Sequence, residues 1–405
     1  MQRPMPGLTE FIVIIALLSS FVALSIDAML PALPEIGQAL GVTDENQPQL
    51  ILSVLFLGMA LGQLVIGPLS DSIGRKPLIY IGLGIFIIGC ILSWRAENFT
   101  TMLIGRFLQG LGAASPRTIT MALVRDCYSG RAMARIMSFS MLVFIMVPAL
   151  APGIGQVIIH LAGWRSIFLV FILLGILVVA WFGLRIPETL PAEKRTPLVM
   201  KQQLAAIRQV LTHRYTMGYT LSTGMIFGAF LGYLNSAQQI LQVQYGLGDR
   251  FPLYFGLLAL VLGAASFINA QLVMKLGMRL LARLAYWLLI GASAACLLVV
   301  WPLDGHPELW LLLAYFSLAF LGIGLLFANL NSLAMEPLET HAGLGASVIG
   351  SLSTLISVPL GTLIGQSYNG TIMPLVIGFM ALGSLGLVIM EWTERHHKAA
   401  LIRQD

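Results

Sequence analysis

The sequence predicts an all-α membrane protein of twelve transmembrane helices in two pseudo-symmetric six-helix bundles, with both termini in the cytoplasm. Three observations predict it: the composition, the number of long apolar runs, and the placement of Lys and Arg. Of 405 residues, 58% are hydrophobic and only 10% are charged, and the mean hydropathy is +0.88. Soluble proteins carry about 25% charged residues. Most of this chain is therefore predicted to lie within the lipid bilayer.

The number of helices follows from the apolar runs, because a spanning helix needs roughly 20 mostly apolar residues. Such runs cover residues 8–30, 48–70, 77–94, 99–123, 136–160, 166–184, 215–241, 252–274, 284–302, 309–335, 342–368 and 371–390. The first run is longer than the apolar core of a secretion signal, which predicts a retained first helix. An even number of spans places both termini on one side.

The orientation follows from the basic residues, because cytoplasmic loops carry an excess of Lys and Arg. With the N-terminus inside, the inner segments hold 18 of the 23 Lys and Arg residues, and the outer loops hold 3: Arg95, Arg165 and Arg250. The other two, Arg106 and Arg117, lie inside apolar runs. The basic residues are dispersed among the inner segments and form no single basic face, so nucleic acid is not expected as a partner.

The longest polar stretch divides the chain in two. It contains Pro187, Pro191 and Pro197 and a basic segment with helical character. The predicted organisation is an N-terminal six-helix bundle over residues 1–184, a cytoplasmic linker over 185–214 and a C-terminal six-helix bundle over 215–405. Gly74, after span two, corresponds to Gly277, after span eight, which indicates a parallel repeat of the kind found in rocking transporters.

The loop between spans two and three carries the pattern Gly67-x-x-x-Asp71-x-x-Gly74-Arg75-Lys76. Glycines permit a tight turn, an acid can accept hydrogen bonds at a helix start, and the basic pair is expected to face the cytoplasm. A positively charged inner turn would explain the basic pair, but it would not explain the spacing of glycines and acid. The pattern resembles the loop signature of the major facilitator superfamily, and the resemblance extends over essentially the whole chain.

The resemblance implies a gating role for this loop. In such transporters the loop is thought to hold one half against the cytoplasmic end of span eleven, which begins near residues 341–345 here. That contact would favour the outward-facing state.

Span four contains Arg106, Gln109, Gly110 and Gly112 in an order similar to the second superfamily signature, whose arginine is associated with proton coupling. An arginine within the hydrocarbon zone costs at least ~3 kcal/mol, so it should face a cavity and have a partner. Asp27 is the one deeply placed acid among the predicted spans. At 1.5 Å per residue, Asp27 and Arg106 lie roughly 12 and 7 Å to the same outer side of the membrane centre, so they can meet directly or through water. Either this pair is a proton switch, or it is a static ion pair that braces two helices.

Three segments are similar to the Bcr/CflA exporters, a subfamily that includes bicyclomycin, chloramphenicol and florfenicol exporters. They are residues 24–34 around Asp27, residues 125–128 at the end of span four, and residues 137–152 in span five. Span five also carries an altered form of the antiporter signature, formed by Pro148, Pro152, Gly153 and Gly155. Ala151 and Gln156 stand where glycines are usual. Prolines and glycines kink the helix and allow close packing, and the pattern favours export.

Arg117 lies almost three helical turns after Arg106, which predicts a buried charge on the same cavity face, roughly 16 Å deeper. It could bind an anionic or carbonyl-bearing substrate, or it could extend toward the cytoplasm or pair with a backbone carbonyl. Polar residues within spans can line a cavity or join helices by hydrogen bonds. The substrate-binding candidates are Arg117, Gln109, Gln156, Tyr233, Asn235, Gln238 and Asn329.

These observations predict a proton-coupled exporter of small organic molecules or antibiotics in the bacterial cytoplasmic membrane. It would act by alternating access and use the proton gradient without a cofactor or metal. Expected partners are the small-molecule substrate, protons and the lipid bilayer, with the chain acting as a monomer. A dedicated exporter of one natural metabolite, such as an amino-acid derivative, dipeptide or siderophore, is the alternative. A proton symporter, a sensor and a membrane enzyme agree less well with the sequence, since no soluble sensor domain or catalytic motif is present.

Overall fold

A computed structural model describes residues 6–195, 205, 207–208, 210–338 and 342–402. The central part of the predicted linker (196–204, 206 and 209), together with Arg3, His341 and Arg403, lies outside these residues. Within them, twelve helices have 20 residues or more, and we number them α1 to α12. They are Leu8–Asp27, Leu50–Ile73, Arg75–Trp94, Phe99–Cys127, Gly130–Ala162, Arg165–Arg185, Arg214–Leu234, Phe251–Leu276, Met278–Val300, Leu309–Met335, Ala342–Gln366 and Met373–Ile402.

Ten of these helices in the described part of the chain are long and apolar enough to cross a membrane. The two exceptions are α4 and α7, which are rich in Gly, Ser and Thr. Small and polar residues suit helices that pack mainly against protein, and most of α7 is buried. The chain is thus a multi-pass, all-helical membrane protein.

The contacts divide the chain into two compact units, Met1–Gln203 and Leu204–Asp405. In the first unit, α2 and α3 pack on α4, α1 packs on α5, and α3 packs on α6. In the second unit, α8 and α9 pack on α10, α7 packs on α11, and α9 packs on α12. The second pattern is the first one shifted by six helices, so the internal repeat extends from the sequence to the helix packing.

Glycines allow the helices of the first unit to approach closely. A Cβ atom added to Gly110 of α4 would lie 1.9 Å from the backbone oxygen of Leu55 in α2, and one added to Gly58 of α2 would lie 2.2 Å from the backbone oxygen of Phe107. On α5, a Cβ atom at Gly155 would lie 2.0 Å from the backbone oxygen of Ala28, directly after α1. Backbone atoms cannot move aside as a flexible side chain can, so these positions require glycine.

Four helix boundaries differ from the predicted ones by six residues or more, and one of them is the start of α9, at Met278 instead of residue 284. Helix α12 continues to Ile402, beyond the predicted end at residue 390, because its polar last turns pack within the second unit and bury Glu394. Helix α5 begins at Gly130, before the predicted residue 136. Helix α7 ends at Leu234, and a π-helical segment, Gln238–Gln244, follows where a continuous α-helix was predicted. Apolar runs locate spans but do not reveal polar turns that continue a helix.

We predict that Gly110→Ala lowers the free energy of unfolding by about 1–3 kcal/mol, because its methyl group overlaps the backbone of α2. Unfolding of the purified chain in mixed micelles by a denaturing detergent measures the change. Gly84→Ala in α3 is the matched control, since a Cβ atom there meets nothing within 4 Å. Equal stability of the two variants would contradict the packing described for α2 and α4.

Candidate functional site

The side chain of Arg106 is completely buried at the centre of the first unit, with 0% of its surface exposed. Its guanidinium donates to the backbone oxygen of Ser25 at 3.0 Å, to that of Ile51 at 3.4 Å and to Oε1 of Gln109 at 2.6 Å. The amide nitrogen of Gln109 in turn donates to Ser93 Oγ at 2.9 Å. This network joins α1, α2, α3 and α4 and supplies oxygen partners for a cation that lipid could not stabilise.

Asp27 ends α1, two residues after Ser25, and only 5% of its surface is exposed. Its carboxylate makes no hydrogen bond or ion pair with any residue that the structure describes. Of the two contacts expected between Asp27 and Arg106, direct or through water, the direct one is not formed. The physical reason is that carbonyl and amide oxygens satisfy the guanidinium. The two residues are linked instead through one turn of α1, whose Ser25 carbonyl accepts from Arg106.

Arg117 was predicted either to face a cavity or to extend toward the cytoplasm, and the residue is exposed. It lines a cavity of about 150 Å³ within the first unit, between α1, α4 and α5. The lining consists of four apolar and four polar side chains: Ile15, Met121, Val124 and Met137, with Ser19, Arg117, Thr120 and Ser140. Although Arg106 and Arg117 lie on the same helix, one is enclosed by hydrogen bonds and the other is open to a cavity.

The predicted gating loop forms a compact charge cluster. Arg75, the first residue of α3, is buried, and its guanidinium binds Asp71 at 2.5 Å, Asp126 at 3.0 Å and Ser70 Oγ at 2.7 Å. Thr189 also donates to Asp126, at 3.1 Å. The ends of α2, α3 and α4 and the segment after α6 are thus joined by one arginine.

The start of α3 depends on Glu188, which the sequence analysis did not identify. Its carboxylate accepts from the backbone N–H groups of Arg75 at 3.0 Å and Lys76 at 3.1 Å. Asp71 was expected to cap this helix, but it lies within the last turn of α2 and binds Arg75 instead. Gly74 has a positive φ of 115°, and a Cβ atom there would lie 2.5 Å from the Glu188 carboxylate.

Lys76, the second residue of the basic pair expected to face the cytoplasm, binds the end of α6. Lys76 Nζ donates to the backbone oxygens of Gly183 at 2.7 Å and Ile186 at 2.6 Å, at the end of α6. A cation at a helix C-terminus compensates the partial negative charge of the last carbonyls. Gly67 lies inside α2, where its carbonyl accepts from Ser70.

The residues of the antiporter signature lie within one continuous helix. Pro148, Pro152, Gly153 and Gly155 all belong to α5. Of these, Gly155 makes the close backbone approach to Ala28 and so fixes the distance between α5 and the end of α1 that carries Asp27. Gln156, one residue later, forms a hydrogen bond of 2.7 Å with His160 on the same helix.

The candidate residues of the second unit are buried in two different environments. Tyr233 packs within an aromatic cluster, with its ring centroid 4.7 Å from that of Phe320 and 5.3 Å from that of Phe316. Asn329 of α10 donates to Asn269 of α8 at 2.6 Å, which is a contact between helices of the kind that stabilises packing.

Asn235 and Gln238 lie where α7 gives way to the π-helical segment, and both are buried. The amide of Gln238 donates to Gln242 at 3.2 Å within that segment. Short π-helical segments occur frequently at functional sites.

A second charge cluster lies at the corresponding place in the second unit. Arg279, in the first turn of α9, binds Glu336 at 2.8 Å and Glu394 at 3.0 Å. Tyr215 donates to Glu336 at 2.8 Å, and Tyr219 donates to the buried Glu394 at 2.5 Å. No signal in the sequence marks this cluster, because the apolar run of span twelve ends at residue 390, before Glu394.

A multi-pass helical chain built from two repeats of six helices, with buried charges in the helix core, has the architecture of a secondary transporter. The sequence profile of the Major Facilitator Superfamily matches residues 15–359. The chain belongs to this superfamily, as the loop and span-four motifs predicted, and it is therefore a transporter by family.

Named relatives agree with this assignment. The chain is 31% identical over 345 residues to the uncharacterized MFS-type transporter YdgK of Bacillus subtilis (strain 168), covering 84% of this chain and 85% of that one. It is 30% identical over 385 residues to the bicyclomycin resistance protein homolog of Haemophilus influenzae, with coverage of 90% and 91%. It is 28% identical over 370 residues to the multidrug resistance protein MdtL of Klebsiella pneumoniae (strain 342), also with coverage of 90% and 91%. The predicted resemblance to Bcr/CflA-type exporters is thereby confirmed.

Solved structures share the fold at low sequence identity. The human organic anion transporter MFSD10 (TETRAN) superposes with a TM-score of 0.71 at 18% identity, covering 96% of this chain and 100% of that one. A D-xylose-proton symporter superposes with the same TM-score of 0.71 at 13% identity, with coverage of 94% and 97%. At these identities the likeness establishes the fold alone.

We predict that Glu188→Ala lowers the stability of the first unit by about 0.5–2 kcal/mol, because the first N–H groups of α3 lose their carboxylate cap. Detergent-induced unfolding measures the loss. Glu193→Ala is the control, since Glu193 lies in the same segment after α6, is exposed and makes no such cap. A loss in Glu193→Ala as large as that in Glu188→Ala would show that the cap contributes nothing.

Proposed function

We propose that this chain is a proton-coupled exporter of small organic molecules, including antibiotics, in the bacterial cytoplasmic membrane. All twelve long helices would cross the bilayer, with both termini in the cytoplasm, and transport would proceed by alternating access of a monomer. One observation carries the proposal: Asp27 is a buried carboxyl group without a partner among the described residues, adjacent in α1 to the turn that Arg106 holds.

The chemistry of Asp27 supports proton binding at this position. Burial penalises the charged form of a carboxylic acid, whereas a nearby cation favours it. A change in the distance or hydration between Asp27 and Arg106 would therefore change the proton occupancy of the carboxyl group. If the proton and the substrate favour opposite conformations, the inward proton gradient drives the substrate outward.

Arg106 would act in this scheme as a fixed cation. Its bond to the Ser25 carbonyl ties it to the turn of α1 that precedes Asp27, so a shift of α1 would change the electrostatic surroundings of the carboxyl group. Because the guanidinium has oxygen partners of its own, it stays buried in both protonation states of Asp27 without leaving an unpaired cation.

The direction of transport is supported by two observations. Helix α5 carries the prolines and glycines of the antiporter pattern, and Gly155 packs against Ala28, next to Asp27. Two of the relatives are named for resistance to bicyclomycin and to multiple drugs, and resistance by a transporter follows from export.

Gating is proposed for the Arg75 cluster, whose ion pairs join several helix ends and could break and reform during the cycle.

We predict that Asp27→Asn abolishes coupling to the proton gradient, because the amide cannot exchange a proton at physiological pH. In proteoliposomes with an imposed pH gradient, substrate accumulation should fall to the level of equilibration down the substrate gradient. The measurement is the flux of a radiolabelled antibiotic together with the proton flux reported by an internal pH dye.

Glu97→Gln is the matched control, since Glu97 is an exposed acid in the segment between α3 and α4. It should keep both fluxes unchanged. Proton-driven transport by Asp27→Asn at the wild-type stoichiometry would exclude Asp27 as the coupling site.

A further inference from the structure

Arg117 is a guanidinium without a counter-ion in the described part of the first unit. It lies in the middle of α4, roughly 15 Å along the helix axis from its end at Cys127, and its side chain is exposed to the cavity between α1, α4 and α5. The structure gives it no hydrogen bond and no ion pair with any described residue. Because no described residue neutralises this guanidinium, an anionic group that enters the cavity can bind it.

Three other arginines in the helices of the same unit are compensated. Arg75 binds Asp71 and Asp126, Arg185 binds Glu10 with both ends of its fork, and Arg106 donates to three oxygens. The exposed Arg125, Arg131 and Arg135 lie near the ends of α4 and α5, whereas Arg117 lies well inside α4.

Three hydroxyl side chains line the same cavity as Arg117. The Ser140 hydroxyl is buried and has no hydrogen-bond partner among the described residues, although serine in a helix commonly donates to a preceding carbonyl, as Ser20 does to Ala16. Ser19 and Thr120 lie on the same lining, and Thr120 is three residues after Arg117, on the same face of α4. A buried hydroxyl left without a partner costs free energy, and a ligand oxygen would satisfy it.

The other four side chains that line the cavity are apolar, and they favour a ligand whose uncharged part is apolar. Ile15, Met121, Val124 and Met137 present aliphatic and thioether groups, and methionine adapts to ligands of varied shape. The cavity volume of about 150 Å³ is comparable to that of an engineered apolar cavity that accepts benzene. One six-membered ring with a small polar group therefore fits.

We propose that this cavity is a substrate subsite for monocyclic aromatic carboxylates, or for the part of a larger substrate with that chemistry. Arg117 binds the carboxylate through its planar fork, Ser140 donates to a carboxylate oxygen, and the aliphatic side chains cover the ring. This inference rests on the proposed transport function, because it names the class of substrate that would be carried. It also excludes organic cations as the preferred ligands of this subsite, since they would meet an uncompensated guanidinium.

Three nearly isosteric probes test the inference on the purified full-length chain in detergent: benzoate, neutral benzamide and cationic benzamidinium. Calorimetric titration without any proton gradient gives their dissociation constants. We expect benzoate to bind at least 10-fold more tightly than benzamide and benzamidinium not to bind, because only benzoate forms charge-assisted hydrogen bonds with Arg117.

Arg117→Gln should reduce the affinity for benzoate to that for benzamide, a loss of about 10- to 100-fold. Arg117→Lys should retain part of the preference for benzoate, because it keeps the charge but loses the fork. Arg95→Gln is the matched control, since it makes the same change at an exposed arginine outside this cavity, and it should bind benzoate as the wild type does. If Arg117→Gln fails to elute as a folded species on gel filtration, Arg117→Lys and Ser140→Ala still report the same preference.

Equal affinity for benzoate and benzamide in the wild type would overturn the inference, and so would unchanged benzoate affinity in Arg117→Gln or the absence of benzoate binding at millimolar concentration. Failure of the proposed function gives a different result. In that case benzoate binding depends on Arg117, but an imposed pH gradient drives no flux of benzoate through proteoliposomes. Gradient-driven flux of a neutral substrate, together with equal affinity for benzoate and benzamide, would leave the transport function intact and overturn the subsite alone.

Discussion

The packing of the first unit depends on the hydrogen bonds of the buried Arg106 guanidinium. Its hydrogen bonds to the carbonyls of Ser25 and Ile51 and to Gln109 join α1, α2 and α4 without an acidic partner. Breaking a bond of this kind leaves a charged group unsatisfied in a medium of low polarity, which costs several kcal/mol. The close glycine contacts between α2 and α4 follow from the same requirement, because long donors reach backbone carbonyls only where helices approach closely.

At one end of each unit, an arginine forms ion pairs with two acidic residues. In the first unit Arg75 binds Asp71 and Asp126, and in the second unit Arg279 binds Glu336 and Glu394. Both arginines follow a glycine with positive φ at the start of the third helix of the repeat. The superfamily motif is recognisable in the first copy alone, yet the physical arrangement is present in both, with acids supplied by different helices.

Asp27 and Arg117, two charged groups that lie away from the exposed loops at the helix ends, have no partner among the described residues, and both belong to the transport proposals. Asp27 is buried and suits a proton, whereas Arg117 is open to a cavity and suits an anionic group. A folded chain tolerates such groups where function requires them, since stability alone would favour their replacement. The Arg106 network joins α1 and α4, so the proposed ligand at Arg117 and the proposed proton at Asp27 would act on the same two helices.

The sequence by itself determined the membrane class, the superfamily and the location of ten apolar helices, because these depend on composition and on local runs of residues. It also identified Arg106, Asp27 and Arg117 as charges within spans. Only the tertiary structure decided their partners: the Ser25 carbonyl replaced Asp27, Glu188 replaced Asp71 as the cap of α3, and Glu394 joined Arg279 from a helix that continues past its apolar run. These pairings connect residues distant in the chain, and hydrogen-bond geometry in space, which no local pattern encodes, selects among oxygens that are chemically alike.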